Sequence, residues 1–425
     1  MPKIYKEMKY LLTLISTLLL LTACNKDDET DFVNQTSTRA VLIYMAGENN
    51  LTSNQGIRYL RNDLDEIIEG SKSLTNMQRL FVFVDSLATN KDEKGYPYLI
   101  EVHGGKIYDR IRFENDFYAC DEDRFREIVN WMPQNVKANG YGLVLWGHAS
   151  GWAVDLDTIP SSQRAYGLDT NYDQGPYAEK WMNITQMAKA LKGLPKFDFI
   201  FCDCCNMISA EVGYELRDAA DYIIGSPAEI PGNGAPYDII IPQLYKNGSS
   251  LYKGIIDTYF NFYIDDYPTS DPALTNYSVP LAVIDTQYME QLATLTRNIV
   301  SDFATEFPAQ LELTKIPFYF GFDRPSMYDM QGVMKRFATP SAFDAWRVVF
   351  QSAVPYSRIS KRWMTIYNTQ HIGFPYFEQD DEYWGCASMF VPQGYVDYRS
   401  GYYAYNARAN NFGWNRIIDW SRFGW

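Results

Sequence analysis

Histidine is nearly missing from this chain: three residues, His103, His148 and His371, among 425. A histidine-built metal centre is thereby weakly supported, and any imidazole chemistry rests on one of three isolated positions. Cysteine is also scarce, with six residues, too few for a scaffold held together by disulfides. Basic residues are outnumbered, 38 Lys and Arg against 52 Asp and Glu, for a net charge of -14 and a pI near 4.8. Such a surface repels nucleic acid, and no basic stripe offsets it, so no nucleic-acid partner is expected; a cationic substrate is mildly attracted. The apolar run from Leu11 to Leu21 is too short to span a bilayer. No internal repeat and no long low-complexity linker interrupts the sequence. What is abundant is apolar and aromatic: 46% hydrophobic, 16% aromatic, 33 tyrosines. That composition excludes disorder and fills a sizeable core, and the length allows two or three domains.

Short, continuous apolar runs alternate with helical spacing through the first half. The segments 39–47 (RAVLIYMAG), 80–85 (LFVFVD), 141–148 (YGLVLWGH), 197–203 (FDFIFCD) and 221–227 (DYIIGSP) read as fully buried strands. Helices are expected over IRYLRNDLDEIIEG, from an Asp121 cap through Trp131, over NITQMAKALKG and over SAEVGYELRDAA. Alternation on both sides of Gly104-Gly105 predicts a hairpin. The pattern is that of an α/β fold with a largely parallel sheet, whose ligands bind beyond the carboxyl ends of the strands. The second half is less regular, with a further buried strand at 279–285, a long helix after it and a strand-like GCASMFVPQ.

Three cysteines crowd into FIFCDCCNM at 199–207. One C-x-C-C with no second cluster is a weak zinc signal, and no metal site is assigned there. A disulfide between the adjacent Cys204 and Cys205 would be strained, while pairing through the distant Cys120 or Cys386 stays open. Strand alternation puts Cys202 and Cys204 on one face, expected to be core. Cys205 falls at or past the strand end, where a following helix would favour a thiolate. His148 ends the preceding parallel strand, so both groups are expected at one sheet edge, within reach of a nucleophile and its base.

The first 23 residues stand apart. Lys3, Lys6 and Lys9 precede the apolar run, which ends in LTAC. That combination resembles a bacterial lipobox and implies cleavage before Cys24 and lipidation of its sulfur. The NKDDETD that follows resembles the surface-export signal of Bacteroidetes lipoproteins. An odd number of cysteines is then left, so at least one thiol is free or pairs between chains. The expected organisation is a signal peptide over 1–23, a flexible linker over 24–38, a catalytic domain over 39–250 and a C-terminal region over 251–425 that continues the sheet and adds an accessory layer.

The blocks LVLWGHASGW and FDFIFCDCCNMISAEVGYELRDAADYIIGSPAEIPGNGAPYD, with VLIYMAGENNL, YGLDTNYDQGPYAEKWMNITQMAKAL and GCASMFVPQ, resemble the clostripain family of cysteine endopeptidases. The resemblance implies a caspase-like fold. It implies that His148 is the catalytic histidine and Cys205 the nucleophile, with the backbone N–H groups of Ala149 and Cys205 as oxyanion hole. It implies that Asp203 lies in the S1 pocket and favours Arg or Lys at the cleavage site, since a carboxylate pairs there with a desolvated cation. The family's glycine after the histidine is Ala149 here, and its alanine and leucine around the nucleophile are Cys204 and Asn206. Family members are often activated by internal cleavage between histidine and cysteine, in some cases with calcium; IPSSQRAYG, holding Arg164, is the candidate self-processing site. Asp155, Asp157 and Asp169 are candidates for calcium, although their spacing matches no defined loop. No cofactor is expected for the chemistry itself. The partners implied are peptides or proteins with Arg or Lys, and a membrane reached through the lipid anchor, in the cell envelope and on the outer-membrane surface. The alternative is a catalytically inactive surface lipoprotein that binds peptide or glycan on its aromatic-rich second half.

Overall fold

The computed structural model describes residues 35–88, 95–152, 166–170, 179–266, 276–303, 313, 316–321, 325, 327–368, 371–377, 383–392 and 409–423. In chain order the first half runs β1 (Arg39–Gly47), α1 (Tyr59–Gly70), β2 (Gln78–Ser86), β3 (Tyr98–His103), β4 (Lys106–Arg112), α2 (Glu122–Asn135), β5 (Tyr141–Gly147), β6 (Tyr166–Asp169), β7 (Lys180–Met182), α3 (Ile184–Leu191), β8 (Phe197–Asp203), α4 (Ala210–Glu215) and β9 (Ala220–Gly225). The second half continues with α5 (Tyr237–Ile240), α6 (Ser249–Asn261), β10 (Leu281–Asp285), α7 (Met289–Phe303), β11 (Met327–Asp329), α8 (Met330–Phe337), α9 (Pro340–Ala353), β12 (Tyr356–Arg358), β13 (Thr365–Asn368), β14 (His371–Gly373), β15 (Ser388–Phe390) and α10 (Gly413–Ile418). No described helix is long and apolar enough to cross a membrane.

One nine-stranded sheet organises the molecule, in the order β12-β10-β9-β8-β5-β1-β2-β3-β4. The five strands from β9 to β2 are parallel. Antiparallel strands close both edges, the hairpin β3–β4 on one side and β10–β12 on the other. Gly104 and Gly105, at φ +59° and +75°, make the hairpin turn that side chains with a Cβ rarely adopt. Strands β1, β2, β5 and β8 are buried along almost their whole lengths, as continuous apolar runs demand when helices cover both faces. Alternation sorts them into two cores. Leu42, Tyr44, Leu145 and Cys202 join one with α2, α3, α4 and the C-terminal helices, while Ile43, Met45, Val144 and Phe201 join the other with α1, α5 and α6.

The chain leaves β1 toward β2 on one side and later returns to β5 on the other. The crevice at the carboxyl ends of β1 and β5 is therefore the topological switch point, where α/β sheets place their ligands. The second half does not stand aside from this frame. Position 250/251 lies inside α6, whose Tyr259 hydroxyl donates to the Asp203 carboxylate at 3.0 Å. GCASMFVPQ supplies β15, which pairs with β11 in a separate two-stranded ladder. Ser388 of β15 donates its N–H to the Ile208 carbonyl, three residues after Cys205.

Candidate active site

The register of β5 with β8 sets Trp146 beside Asp203. Two residues further on, His148 and Cys205 thus leave neighbouring parallel strands at the same level. Two backbone features fix how they leave. Asn206 adopts φ +60°, which turns the chain immediately after Cys205, and Gly151 adopts φ +57°. A Cβ on Gly151 would sit 2.2 Å from the Asn206 carbonyl oxygen, so only glycine lets the turn after His148 close onto the turn after Cys205.

His148, Cys205 and Asp203 line one cleft of about 360 Å³, together with Asn50, Tyr59, Trp146, Glu229 and Met364. A larger cleft of about 540 Å³ opens at the opposite end of the strands around the Arg39–Asp198 ion pair, and no cysteine or histidine lines it. The smaller one holds the candidate chemistry. The His148 Nε2 lies 2.6 Å from Asn50 Oδ1, in the loop after β1; with that oxygen accepting, Nε2 carries the proton and Nδ1 keeps its lone pair. Burial pulls the His148 pKa down to about 4, so the ring is neutral near pH 7.

Cys205 is half-buried, and its sulfur accepts the N–H of Ile230 at 3.4 Å. Burial, and then the Glu229 carboxyl, push its pKa up to about 12. The resting group is a thiol. The expected thiolate at a helix start is not formed, because α4 begins only at Ala210 and is capped by Ser209, whose Oγ accepts the Val212 N–H. Cys202 and Cys204 are core residues at 1% and 0% exposure. Cys120, Cys202, Cys204, Cys205 and Cys386 are all free, which closes the disulfide alternative among the described residues.

Asp203 is 2% exposed. Its Oδ2 accepts the Ala235 N–H at 3.1 Å and the Tyr237 hydroxyl at 2.9 Å, and its Oδ1 accepts Tyr259. Burial raises its pKa and these three donors oppose the rise. Asp63 is buried alongside, held by the Trp146 indole N–H at 2.6 Å, and its pKa is raised well above the ordinary range by burial and then by Asp203. Glu229, 8% exposed, has an Oε2 that meets no hydrogen-bond donor, and burial lifts its pKa to about 8. The cleft is therefore an acidic well without an internal cation at Asp203, Asp63 or Glu229 among the described residues.

Ala149 is 9% exposed and forms a bridge with Tyr166, next to the Gly167 N–H that donates to the His148 carbonyl at 2.8 Å. His103 closes β3 and does not line the cleft, and His371 opens β14. Arg164, Asp155, Asp157 and Cys24 lie outside the described residues. Asn50, Glu229, Tyr237, Tyr259 and Met364 were not singled out by sequence. The segment ENNL beside the first strand and the Glu229 within SPAEIPG were the available signals; Tyr259 and Met364, from the second half, offered none.

With this geometry in view, the comparisons decide the family. The profile of the clostripain family matches residues 43–372. The chain belongs to the clostripain family. It is a cysteine-type peptidase, with the mixed α/β sheet of that family. A secreted C11 cysteine protease from Bacteroides thetaiotaomicron, solved with an irreversible peptide inhibitor, shares 26% identity at a TM-score of 0.72, over 91% of this chain and 100% of that one. An inactive zymogen C11 protease from Parabacteroides distasonis shares the fold, with 24% identity and a TM-score of 0.71 over 91% of this chain and 99% of that one. No curated protein matches.

Proposed function

We propose that this clostripain-family peptidase is an endopeptidase that cleaves after Arg or Lys, with Cys205 as nucleophile and His148 as proton carrier. The observation that carries the proposal is that one cleft is lined by His148, Cys205 and the carboxyl groups of Asp203 and Glu229. A neutral thiol and a neutral imidazole make the sequence of protons definite. As the sulfur attacks the scissile carbonyl, its proton passes to His148 and on to the leaving amine; water then gives a proton to His148 as its hydroxide adds to the acyl carbon, the C–S bond breaks, and the departing sulfur takes that proton back from His148. The N–H groups of Ala149 and Cys205 hold the developing oxyanion. The cationic P1 side chain pairs with the acidic well, whose anionic forms it stabilises, and the three donors on Asp203 orient that carboxylate and oppose the rise that burial gives its pKa.

Reporter peptides ending in Arg, Lys, Ala and Asp test this reading. Hydrolysis confined to the basic pair, and lost in Cys205→Ala, is the expected result; undiminished hydrolysis in Cys205→Ala ends the assignment. Cleavage at Arg164 by the enzyme itself and lipidation of Cys24 in the outer membrane are proposed with it. An intact, fully active purified chain refutes the first, and failure of Cys24 to take up an alkyne-tagged fatty acid refutes the second.

A further inference from the structure

The turn after β1 is tied down on three sides. Asn49 donates its backbone N–H to the Gly47 carbonyl at 2.7 Å, and its side chain donates to the carbonyls of Ala46 and Leu168 at 3.2 and 2.7 Å. Its Oδ1 accepts the Leu51 N–H at 2.8 Å, and its carbonyl accepts the Thr52 N–H at 3.1 Å. The Thr52 hydroxyl donates to the Gly47 carbonyl at 2.6 Å, and the Leu51 carbonyl accepts the N–H of Leu60 in α1 at 3.0 Å. Residues 47–52 are thereby fixed to β1, to β6 and to α1. Asn50 is the exposed residue among them. Its side chain leaves the turn and puts Oδ1 2.6 Å from the His148 Nε2.

The turn itself does not ask for an asparagine at position 50. Asn50 is not among the residues of positive φ, the backbone state that favours asparagine. The side chain that folds the turn, by accepting the N–H two residues on, is that of Asn49. The ring it meets, by contrast, lacks any other hydrogen-bond partner. Glu48 on the turn, Lys180 on β7, and Asp203, Glu229 and Cys205 in the cleft make no hydrogen bond with His148, and the Trp181 ring stands 6.4 Å away between centroids. Burial alone depresses its pKa, with no nearby charge contributing. A neutral imidazole of this kind can carry its proton on either nitrogen, and only one of the two forms leaves the other nitrogen free as a base.

We propose that Asn50 is a positioning residue of the peptidase reaction, whose amide oxygen holds the His148 ring in its Nε2–H form so that Nδ1 takes and returns the Cys205 proton. The inference rests on the Cys205–His148 reading above and adds a third member to it. The amide oxygen has only acceptor capacity, so it selects the nitrogen that keeps its hydrogen. The proton balance is then fixed: Nδ1 gains the sulfur's proton and passes it to the leaving amine, while the Nε2 proton stays on the Asn50 bond throughout. An amide does this without placing a charge beside the ring, so the imidazole stays neutral and basic between turnovers. Because Asn50 lines the open cleft, water competes for the bond in the free enzyme, and a bound peptide that covers it strengthens it. Its contribution therefore falls on kcat rather than on KM.

The test uses the full chain and basic reporter peptides. Cys205→Ala and His148→Ala come first: hydrolysis kept in either overturns the reading beneath this inference, and the inference with it. With both inactive, Asn50→Ala is expected to lower kcat about 10–100-fold, with KM and the unfolding temperature nearly unchanged. Asn50→Asp keeps an oxygen acceptor and restores most of that rate, while its charge raises the ring's pKa and moves the acid limb of the kcat/KM profile to higher pH. A residue that only shaped the turn would give equal losses in the two variants and leave the limb where it was. With three histidines in the chain, the tautomer can also be read without substrate. The ¹⁵N-histidine spectrum near pH 7 should show His148 as the Nε2–H form in the wild type and as a mixture in Asn50→Ala. Full kcat in Asn50→Ala, an unmoved limb in Asn50→Asp, or an Nδ1–H ring in the wild type overturns the proposal and leaves the assignment of Cys205 and His148 standing.

Discussion

Asp203 and Asp85 reach the same end of the same sheet, are equally hidden from water, and face opposite cores. Asp203 receives three hydrogen bonds, from two tyrosine hydroxyls and a backbone N–H. Asp85 receives none among the described residues. The difference shows that burial alone does not define a buried charge; the donors around it do. A carboxylate with its own donors is held in one orientation, the arrangement that the proposed pairing with a cationic P1 side chain needs. A carboxylate without them is pushed toward its protonated form, as burial and the neighbouring Asp169 and Glu48 do to Asp85. The two flanks of the switch point thus hold similar groups in different electrostatic surroundings.

The comparison can be broken by experiment, and the largest effect lies on the Asp203 flank. Cys205→Ala should lower kcat/KM for Arg and Lys reporters by about 10⁴-fold or more, measured against an unchanged circular-dichroism spectrum. Asp203→Asn keeps the shape but removes the fixed anion, and should cost about 10²–10³-fold in kcat/KM on basic P1 peptides, a differential loss of about 3–4 kcal/mol; an unaltered preference for basic peptides would move the specificity elsewhere in the well. Tyr259→Phe leaves Asp203 one donor short and should lower unfolding stability by about 2 kcal/mol in urea titrations, a loss with no counterpart at Asp85, which has no donor to remove.

The smallest effect is one of pH. The Glu229 carboxyl, at about 8 when folded, lies above its ordinary value of 4.5. A raised carboxyl contributes its full share of stability below the ordinary value and loses it as pH climbs through the folded value. Glu211, at about 7, behaves alike. His148 has the opposite sign, since its depressed pKa of about 4 costs stability only below its ordinary 6.5. The window from pH 6.5 to 8 therefore isolates the carboxyls, and stability should decline across it. Glu229→Gln should flatten the decline, which denaturant midpoints at the two ends of the window would show.

Much of this was legible in the sequence, for identifiable reasons. Strands buried on both faces are written as unbroken apolar runs, so β1, β2, β5 and β8 sit where those runs do. Alternation within FIFCDCCNM separated the core thiols Cys202 and Cys204 from Cys205, and the glycine pair marked the hairpin. The supporting residues were not legible, because each comes from elsewhere. Tyr259 reaches Asp203 from α6, Asn50 reaches His148 across 98 residues, and the two carboxyls beside Asp85, Glu48 and Asp169, lie on two separate segments. The apolar run around Cys386 reads as a strand, yet its ladder partner β11 keeps it off the main sheet. The helix after Cys205 starts late because Asn206 first turns through positive φ, a backbone state that the letters NMIS do not announce.

The high pKa of Cys205 has a consequence for durability. Pushed up to about 12 by burial and by the Glu229 carboxyl, the group rests as the thiol near neutral pH. Peroxide, iodoacetamide and disulfides, which the thiolate rather than the thiol attacks, therefore react slowly with it. A peptide-shaped electrophile, which brings its carbonyl to the sulfur and places a cation beside the carboxylates, meets a different group. The nucleophile is thus drawn into chemistry chiefly while a substrate occupies the cleft.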